Sequence, residues 1–328
     1  MTRARDTANF VGTSVAGGKN LIPNGSFNVW QRGTSGTTTS YAYTCADKWL
    51  NYTDTGTVTL SQISVNGAVD GTPPGVKYAM RTNRTAGATA DRFIAILVID
   101  GALAYVGQTL TLSFYMRIGA GITGSPFGNV STRTVKFGSS TETGGSSWNA
   151  STFNSTTFTR VSVPITITAA TATAGADLFE VEIGVSPQAT GTNTYFDLTG
   201  VQLELGTSAT DFSLHGGTPI GEVQACQKYY QRVFNWTAVV DTTTTMGANS
   251  YLATPMRIAP TATKITGSTL SWRTPSTDNT STTWAFSSPQ TSTTSIWFQI
   301  SAVSGLTAGQ SVTNRGYGTD LIELTADY

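Results

Sequence analysis

The chain has 328 residues, and its 19 basic and 19 acidic side chains leave no formal net charge. Only 12% of residues are charged, about half the share of ordinary soluble proteins, and 60 Thr and 31 Ser supply the polarity instead. Neutrality with six lysines excludes a general attraction for nucleic-acid backbone, and with no apolar run of ~20 residues no membrane insertion by a helix is expected.

Residues 1–8 carry basic groups but are not followed by the apolar stretch of a signal peptide, so secretion by that route is not expected. Cys45 and Cys226 stand too far apart in sequence to suggest a disulfide framework or a zinc site. High Thr content with 39% hydrophobic and 10% aromatic residues argues for a folded β protein rather than disorder.

Residues 1–19 hold little that builds a core, and Gly12, Gly17 and Gly18 break any periodicity. They read as an arm, ordered only if something holds it. From Asn20 strands follow one another. Thr57 to Val65 is a weak one, and Phe93 to Ile99 is an apolar run suited to a strand buried on both faces. Leu110, Leu112, Phe114, Met116 and Ile118 alternate with polar neighbours, a period of two that buries one face. Val161, Val163, Ile165 and Ile167 repeat it. So do Phe179, Val181, Ile183 and Val185, with Glu180 and Glu182 expected on the wet face. Phe196 and Leu198 share one phase and Val201, Leu203 and Leu205 the other, so a β-bulge is expected at Thr199-Gly200. Gly119 to Asn129 and Gly138 to Asn149 read as long loops. Many short strands with Gly-rich turns indicate a β-sandwich or jelly roll.

Ile220 to Phe234 differs. Val223, Cys226, Tyr230 and Val233 fall at helical spacing, and Thr218-Pro219 suits a helix start. The expectation is a linker helix of about three turns. Strands then resume, with Thr274 to Thr294 read as a long loop or exposed hairpin. The organisation predicted is all-β: an arm (1–19), a jelly-roll sandwich (20–212), a linker with a helix (213–235) and a smaller β domain (236–328).

No set of residues assembles catalytic chemistry in sequence. His215 has Asp211 and Ser213 nearby, but a triad is defined by geometry and not by proximity in a polar linker. Glu180 and Glu182 sit side by side on one strand face, whereas glycosidase carboxylates flank their substrate. Gly17-Gly18-Lys19 is too short for a phosphate loop. The expectation is therefore no enzyme and no cofactor. Aromatic rings in polar surroundings are the better candidates. Trp148, Trp272 with Arg273, and Trp284 lie among hydroxyls and amides, and Tyr41 and Tyr43 precede the Ala-Asp-Lys-Trp segment; such a ring stacks on a sugar while polar neighbours bond its hydroxyls. Trp30 and Trp49 are expected in the core.

Two stretches carry a resemblance. One is Asn20-Leu-Ile-Pro-Asn-Gly-Ser-Phe-Asn-Val-Trp-Gln-Arg-Gly, followed by Ala46-Asp-Lys-Trp. The other is Val201-Gln-Leu-Glu-Leu-Gly-Thr-Ser-Ala-Thr, followed by Cys226-Gln-Lys-Tyr-Tyr-Gln. Together they resemble a family of virion proteins of tailed bacteriophages, tail fibres and head fibres among them. In that family the first stretch opens a jelly roll, the second closes it, and a helix leads to a distal β domain. Lys48 stands where the family has arginine. The sandwich also resembles carbohydrate-binding modules.

The resemblance implies a structural virion protein, most directly a trimeric tail fibre binding host surface polysaccharide, with a capsid decoration or head-fibre protein as the alternative. It implies attachment to phage tail or capsid proteins through the arm, with Arg3, Arg5, Asp6 and Phe10 as candidates. Val223, Cys226, Tyr230 and Val233 would form the homotrimer contact, and Asp197 would be one ligand of a structural calcium.

Overall fold

The computed structural model describes residues 20–87, 91–133, 140–169, 177–233, 235–314 and 322–327. The chain divides into two compact units, 1–223 and 224–327, and both are built almost wholly from antiparallel strands.

The first unit is a sandwich of two six-stranded sheets. One has the order β1 (Ser35–Thr38), β4 (Thr57–Ser64), β5 (Tyr78–Ala86), β12 (Tyr195–Leu205), β7 (Thr109–Ile118), β10 (Thr159–Thr166). The other has β2 (Ala42–Tyr43), β3 (Trp49–Thr53), β6 (Asp91–Asp100), β11 (Leu178–Gln188), β8 (Ser125–Arg133), β9 (Ser140–Ser147). A one-turn helix α1 (Gly67–Asp70), capped by Asn66, lies between β4 and β5.

The alternating residues behave as expected. Leu110, Leu112, Phe114 and Met116 from one sheet meet Phe93, Leu97, Phe179 and Val181 from the other in a single dry core. The bulge falls between Thr199 and Gln202, with Gly200 at φ +57°. It brings Phe196, Leu198, Val201 and Leu203 onto one buried face, while Leu205 emerges at the strand end. The two expected loops hold strand as well: 119–124 is loop but β8 begins at Ser125, and β9 takes up most of 138–149. Their Gly, Ser and Thr residues pair through the backbone and lack the apolar alternation that marks a strand in sequence.

The two motif stretches are one structural joint. Asn20 donates from Nδ2 to the carbonyls of Val201 and Ser213, and its Oδ1 accepts from Ile22 and Leu203. A Cβ on Gly25 would lie 2.1 Å from the Val201 carbonyl oxygen, so only glycine lets the opening segment approach β12. Asn24, at φ +56°, donates to Val29 and Asp47 and accepts from Val29. Trp49, fully buried, donates its indole N–H to the Asn24 carbonyl, and Trp30, expected in the core, is half-buried against Phe27 at its edge. On β12, Gln202 donates to Glu204, whose carboxylate accepts from both the amide and hydroxyl of Thr210.

Helix α2 (Pro219–Gln227) has nine residues. The expected continuation to Phe234 does not occur. The carbonyls of Lys228 and Tyr229 accept from Arg257 and Ala326, and Tyr230–Val233 form strand β13, paired with β22 (Ile322–Thr325). Here sheet pairing overrides a helical spacing read from four residues.

In the second unit, β13, β22 and β16 (Thr261–Lys264) make a three-stranded sheet. A seven-stranded sheet has the order β18 (Asp278–Ser281), β17 (Leu270–Arg273), β21 (Ser311–Asn314), β14 (Thr237–Thr242), β15 (Thr245–Tyr251), β20 (Ser295–Ser301), β19 (Ala285–Thr291). The segment 274–294, expected as a loop or hairpin, thus contributes both edge strands, β18 and β19. The core gathers Trp236, Met246, Leu270, Trp272, Trp284, Phe298 and Leu324.

Candidate functional site

Two sheet faces, one in each unit, combine aromatic rings with polar groups. In the first unit this is the face of the β2–β9 sheet turned away from the main core. The register aligns Leu50, Ile96, Glu182 and Asn129 in one row, and Tyr52, Ile94, Gly184 and Phe127 in the next. Leu50, Ile94 and Ile96 form a small apolar floor against which Tyr43, Tyr52 and Phe127 pack. Gly184 leaves that floor without a side chain between Ile94 and Phe127.

Tyr41 stacks on Tyr52, with ring centroids 4.0 Å apart and planes within 12°. The Arg92 guanidinium lies 5.6 Å from the Tyr52 ring centre and 2.8 Å from Asp54, to which the Tyr52 hydroxyl also donates. Hydrogen bonds from Arg92 hold the Asp54 carboxyl down at about 2. Burial, helped by Tyr52 and Glu180, pushes the Tyr41 phenol up to about 12. Glu180 and Glu182 are not on a wet face. Both are buried, and Arg133 from the neighbouring strand reaches them at 3.1 and 3.2 Å.

In the second unit, Ile296, Phe298 and Ile300 point inward, so Trp297 takes the opposite face of β20. Its neighbours in register are Asn249 and Gln290. Its indole packs over Gly247, where a Cβ would come 3.3 Å from the ring and 3.6 Å from an Asp241 carboxylate oxygen. Tyr251, 88% exposed, stands farther along β15 on the same face. Half-buried aromatic surface, amides and a carboxylate thus share one flat patch.

The residues singled out in sequence fare differently. Trp272 and Trp284 are core residues, 2% and 1% exposed. Trp284 donates to the Ser268 carbonyl and lies beneath Lys264, so it presents no face to a ligand. Arg273 is exposed and faces Asp278 at 3.8 Å, apart from any stacked ring. Trp148 is half-buried, edge-on to Phe114 at 5.5 Å, and closes the rim of the main core.

The calcium expected at Asp197 meets an occupied carboxylate. It is wholly buried, and Arg81 and Arg117 bond its two oxygens, placing two cations where the metal would sit. The nearby backbone of the opening segment is also engaged, since the Asn24 carbonyl accepts from Trp49. Among the described residues no group of three or more His, Cys, Asp or Glu side chains gathers as metal ligands.

The helical stripe expected as the oligomer contact does not form as one exposed face. Cys226, Tyr230 and Val233 are buried within the chain, the last two on a strand, and only Val223 is exposed. His215 Nδ1 bonds the Asn20 carbonyl at 2.8 Å, while the Ser213 hydroxyl donates to Gln202, so no triad forms. Arg3, Arg5, Asp6 and Phe10 lie outside the described residues. Among the described residues no helix is long and apolar enough to cross a membrane.

Sequence reasoning found Tyr41 but missed Trp297 and Tyr52, the ring on which Tyr41 stacks. The alternation Ile296, Phe298, Ile300 was the signal that Trp297 faces outward.

Comparison with known proteins finds no matching family model and no matching curated protein. Solved structures give distant likenesses. One is a cyclase from Fischerella sp. TAU, 13% identical, covering 58% of this chain and 98% of that one, with a TM-score of 0.40. Another is a putative sugar binding protein from Bacteroides thetaiotaomicron, 14% identical, covering 57% and 100%, with a TM-score of 0.40. A third is the enzymatically active domain of bacteriophage CBA120 tailspike protein 4, 13% identical, with a TM-score of 0.34; the match covers 57% of this chain and 21% of that one. No function passes to this chain from likenesses so distant.

Proposed function

We propose that the chain is a non-enzymatic structural protein of a bacteriophage particle, a tail fibre that binds host surface glycans and uses no cofactor to do so. The carrying observation is Trp297, held outward over Gly247 with Asn249 and Gln290 in register beside it. An aromatic ring on a flat strand face stacks with the apolar side of a sugar, and amides bond the hydroxyls around it. The Tyr41–Tyr52 stack beside Asp54 and Arg92 offers the same chemistry in the first unit. A surface with little charge and many hydroxyls suits numerous weak contacts, which several copies on one particle convert into avidity.

The virion role is supported by the motif pair and by the joint those motifs build between Asn20, Gly25 and Val201. Residues 1–19 are the proposed attachment to tail or capsid proteins. Labelling purified particles with antibody and imaging them tests the placement. Label on tail appendages supports the proposal. Label over the capsid assigns the alternative of a decoration or head-fibre protein, and unlabelled particles overturn the virion role.

A further inference from the structure

Glu222, in the first turn of α2, is 1% exposed. One of its carboxylate oxygens accepts from the Ser26 hydroxyl at 2.6 Å, and the other is buried with no hydrogen-bond partner. Ser26 is wholly buried and fixed from both sides. The Gly25 carbonyl before it accepts from the Val201 amide, and its own carbonyl accepts from the Thr199 hydroxyl. The carboxyl of Glu222 therefore reaches from α2 into the joint that the opening segment makes with β12.

That joint offers a negative charge no partner. Residues 20–30 include no ionisable side chain. On β12, Asp197 is held by Arg81 and Arg117, and Glu204 by Gln202 and Thr210. His215, ahead of α2, bonds the Asn20 carbonyl. Cys226 on the helix and Lys228 just past it are the remaining titratable groups of this stretch. Among the described residues no charged side chain pairs with Glu222. The helix start and the Ser26 hydroxyl favour the ionised form. Burial opposes them and prevails, so the carboxyl takes its proton above the ordinary 4.5.

We propose that Glu222 and Ser26 form a proton-controlled clasp between α2 and the opening segment, tight when the carboxyl is neutral and weakened when it ionises. A proton on the oxygen facing Ser26 reverses that hydrogen bond, so that the carboxyl O–H donates and the serine hydroxyl accepts. The second oxygen is then a neutral carbonyl and not half of a carboxylate, and burying it costs less. The folded chain binds this proton at higher pH than the unfolded chain. The clasp is therefore strongest below 4.5 and weakens as pH rises through the raised value of the folded carboxyl. The first unit ends within α2, at residue 223, so the device acts at the start of the linker. It does not depend on the glycan-binding reading.

The test uses the full chain with carbon-13 at its six glutamate carboxyls. Glu222→Gln assigns one resonance by its loss and stands in for the neutral form. The Glu222 resonance is expected to titrate above 4.5, and higher still in Ser26→Ala, which removes the bond that favours the charge. Amide hydrogen exchange of α2, as protection relative to β7, reads the clasp itself. In the parent this protection is expected to fall several-fold from acid to neutral pH, and in Glu222→Gln to stay constant. Glu222→Gln keeps the side chain's shape, so this comparison stands even where Ser26→Ala does not fold. Titration of Glu222 at the ordinary value, a midpoint that folded Ser26→Ala leaves in place, or the same pH response of α2 in the parent and Glu222→Gln overturns the clasp.

Discussion

Arg81 meets Asp197 through two hydrogen bonds, Nε to one carboxylate oxygen at 2.7 Å and Nη2 to the other at 3.0 Å. Arg117 closes on the same carboxylate at 2.8 Å and also reaches Asp70 at 3.1 Å. Tyr195 lies under the Arg81 guanidinium and Phe158 under that of Arg117. The carboxylate therefore ties β12 to both β5 and β7, its neighbours in the sheet.

Asp197→Ala leaves two guanidinium groups without their shared partner. The expected cost is about 3–5 kcal/mol, the range for breaking a buried ion pair, read from denaturant unfolding of the full chain. The same geometry predicts that a calcium chelator leaves the melting temperature of the parent unchanged. A chelator-induced drop would restore a metal role.

The Asp54–Arg92 pair sets an acid limit. The folded carboxyl titrates at about 2 against an ordinary 3.8, so the unfolded chain binds its proton first as pH falls. The stability this pair contributes is present above 3.8 and is lost between there and about 2. Asp54→Asn is expected to flatten the stability curve over that interval, as measured by urea unfolding at stepped pH.

Two tryptophans of the second unit should respond in opposite ways. Trp284→Ala empties a packed site and orphans the Ser268 carbonyl; the expected loss is about 3–5 kcal/mol. Trp297→Ala, half-buried on the outer face, should cost at most about 1 kcal/mol, the range of a cross-strand pair on a sheet face. Thermal unfolding of both variants distinguishes the two environments.

Cys45 and Cys226 are 1% and 0% exposed, and burial pushes the Cys45 thiol upward. Neither should react with a maleimide in the native chain, and both should react once it is unfolded. Rapid native labelling of Cys226 would show that α2 exposes it, as a helix-contact role requires.

Alternation made the sandwich core legible. Leu110 to Ile118 and Phe179 to Val185 declared their inward faces, and the phase change at Thr199-Gly200 announced the bulge. What alternation does not encode is whether the second face of a sheet is also covered. Glu180 and Glu182 looked solvated because the arginine that pairs them, Arg133, comes from another strand. Trp272 and Trp284 looked exposed because their neighbours are hydroxylated. Yet Leu270 and Trp272 share a phase, and that spacing of two was the better guide. Tyr230 and Val233 fitted a helix by spacing alone, while their pairing partners lie about ninety residues away in β22. Of the candidate site, the residue class and Tyr41 were legible, and Tyr52 and Trp297 were not. Stacking of Tyr41 on Tyr52 and packing of Trp297 over Gly247 depend on register between strands.

The most direct test of glycan binding compares the parent chain with Trp297→Ala for affinity toward purified host surface polysaccharide, by calorimetry on matched, folded samples. A loss of stacking predicts at least about tenfold weaker binding, which corresponds to ~1.4 kcal/mol. Equal affinity of the two proteins, or no heat from the parent, would contradict it.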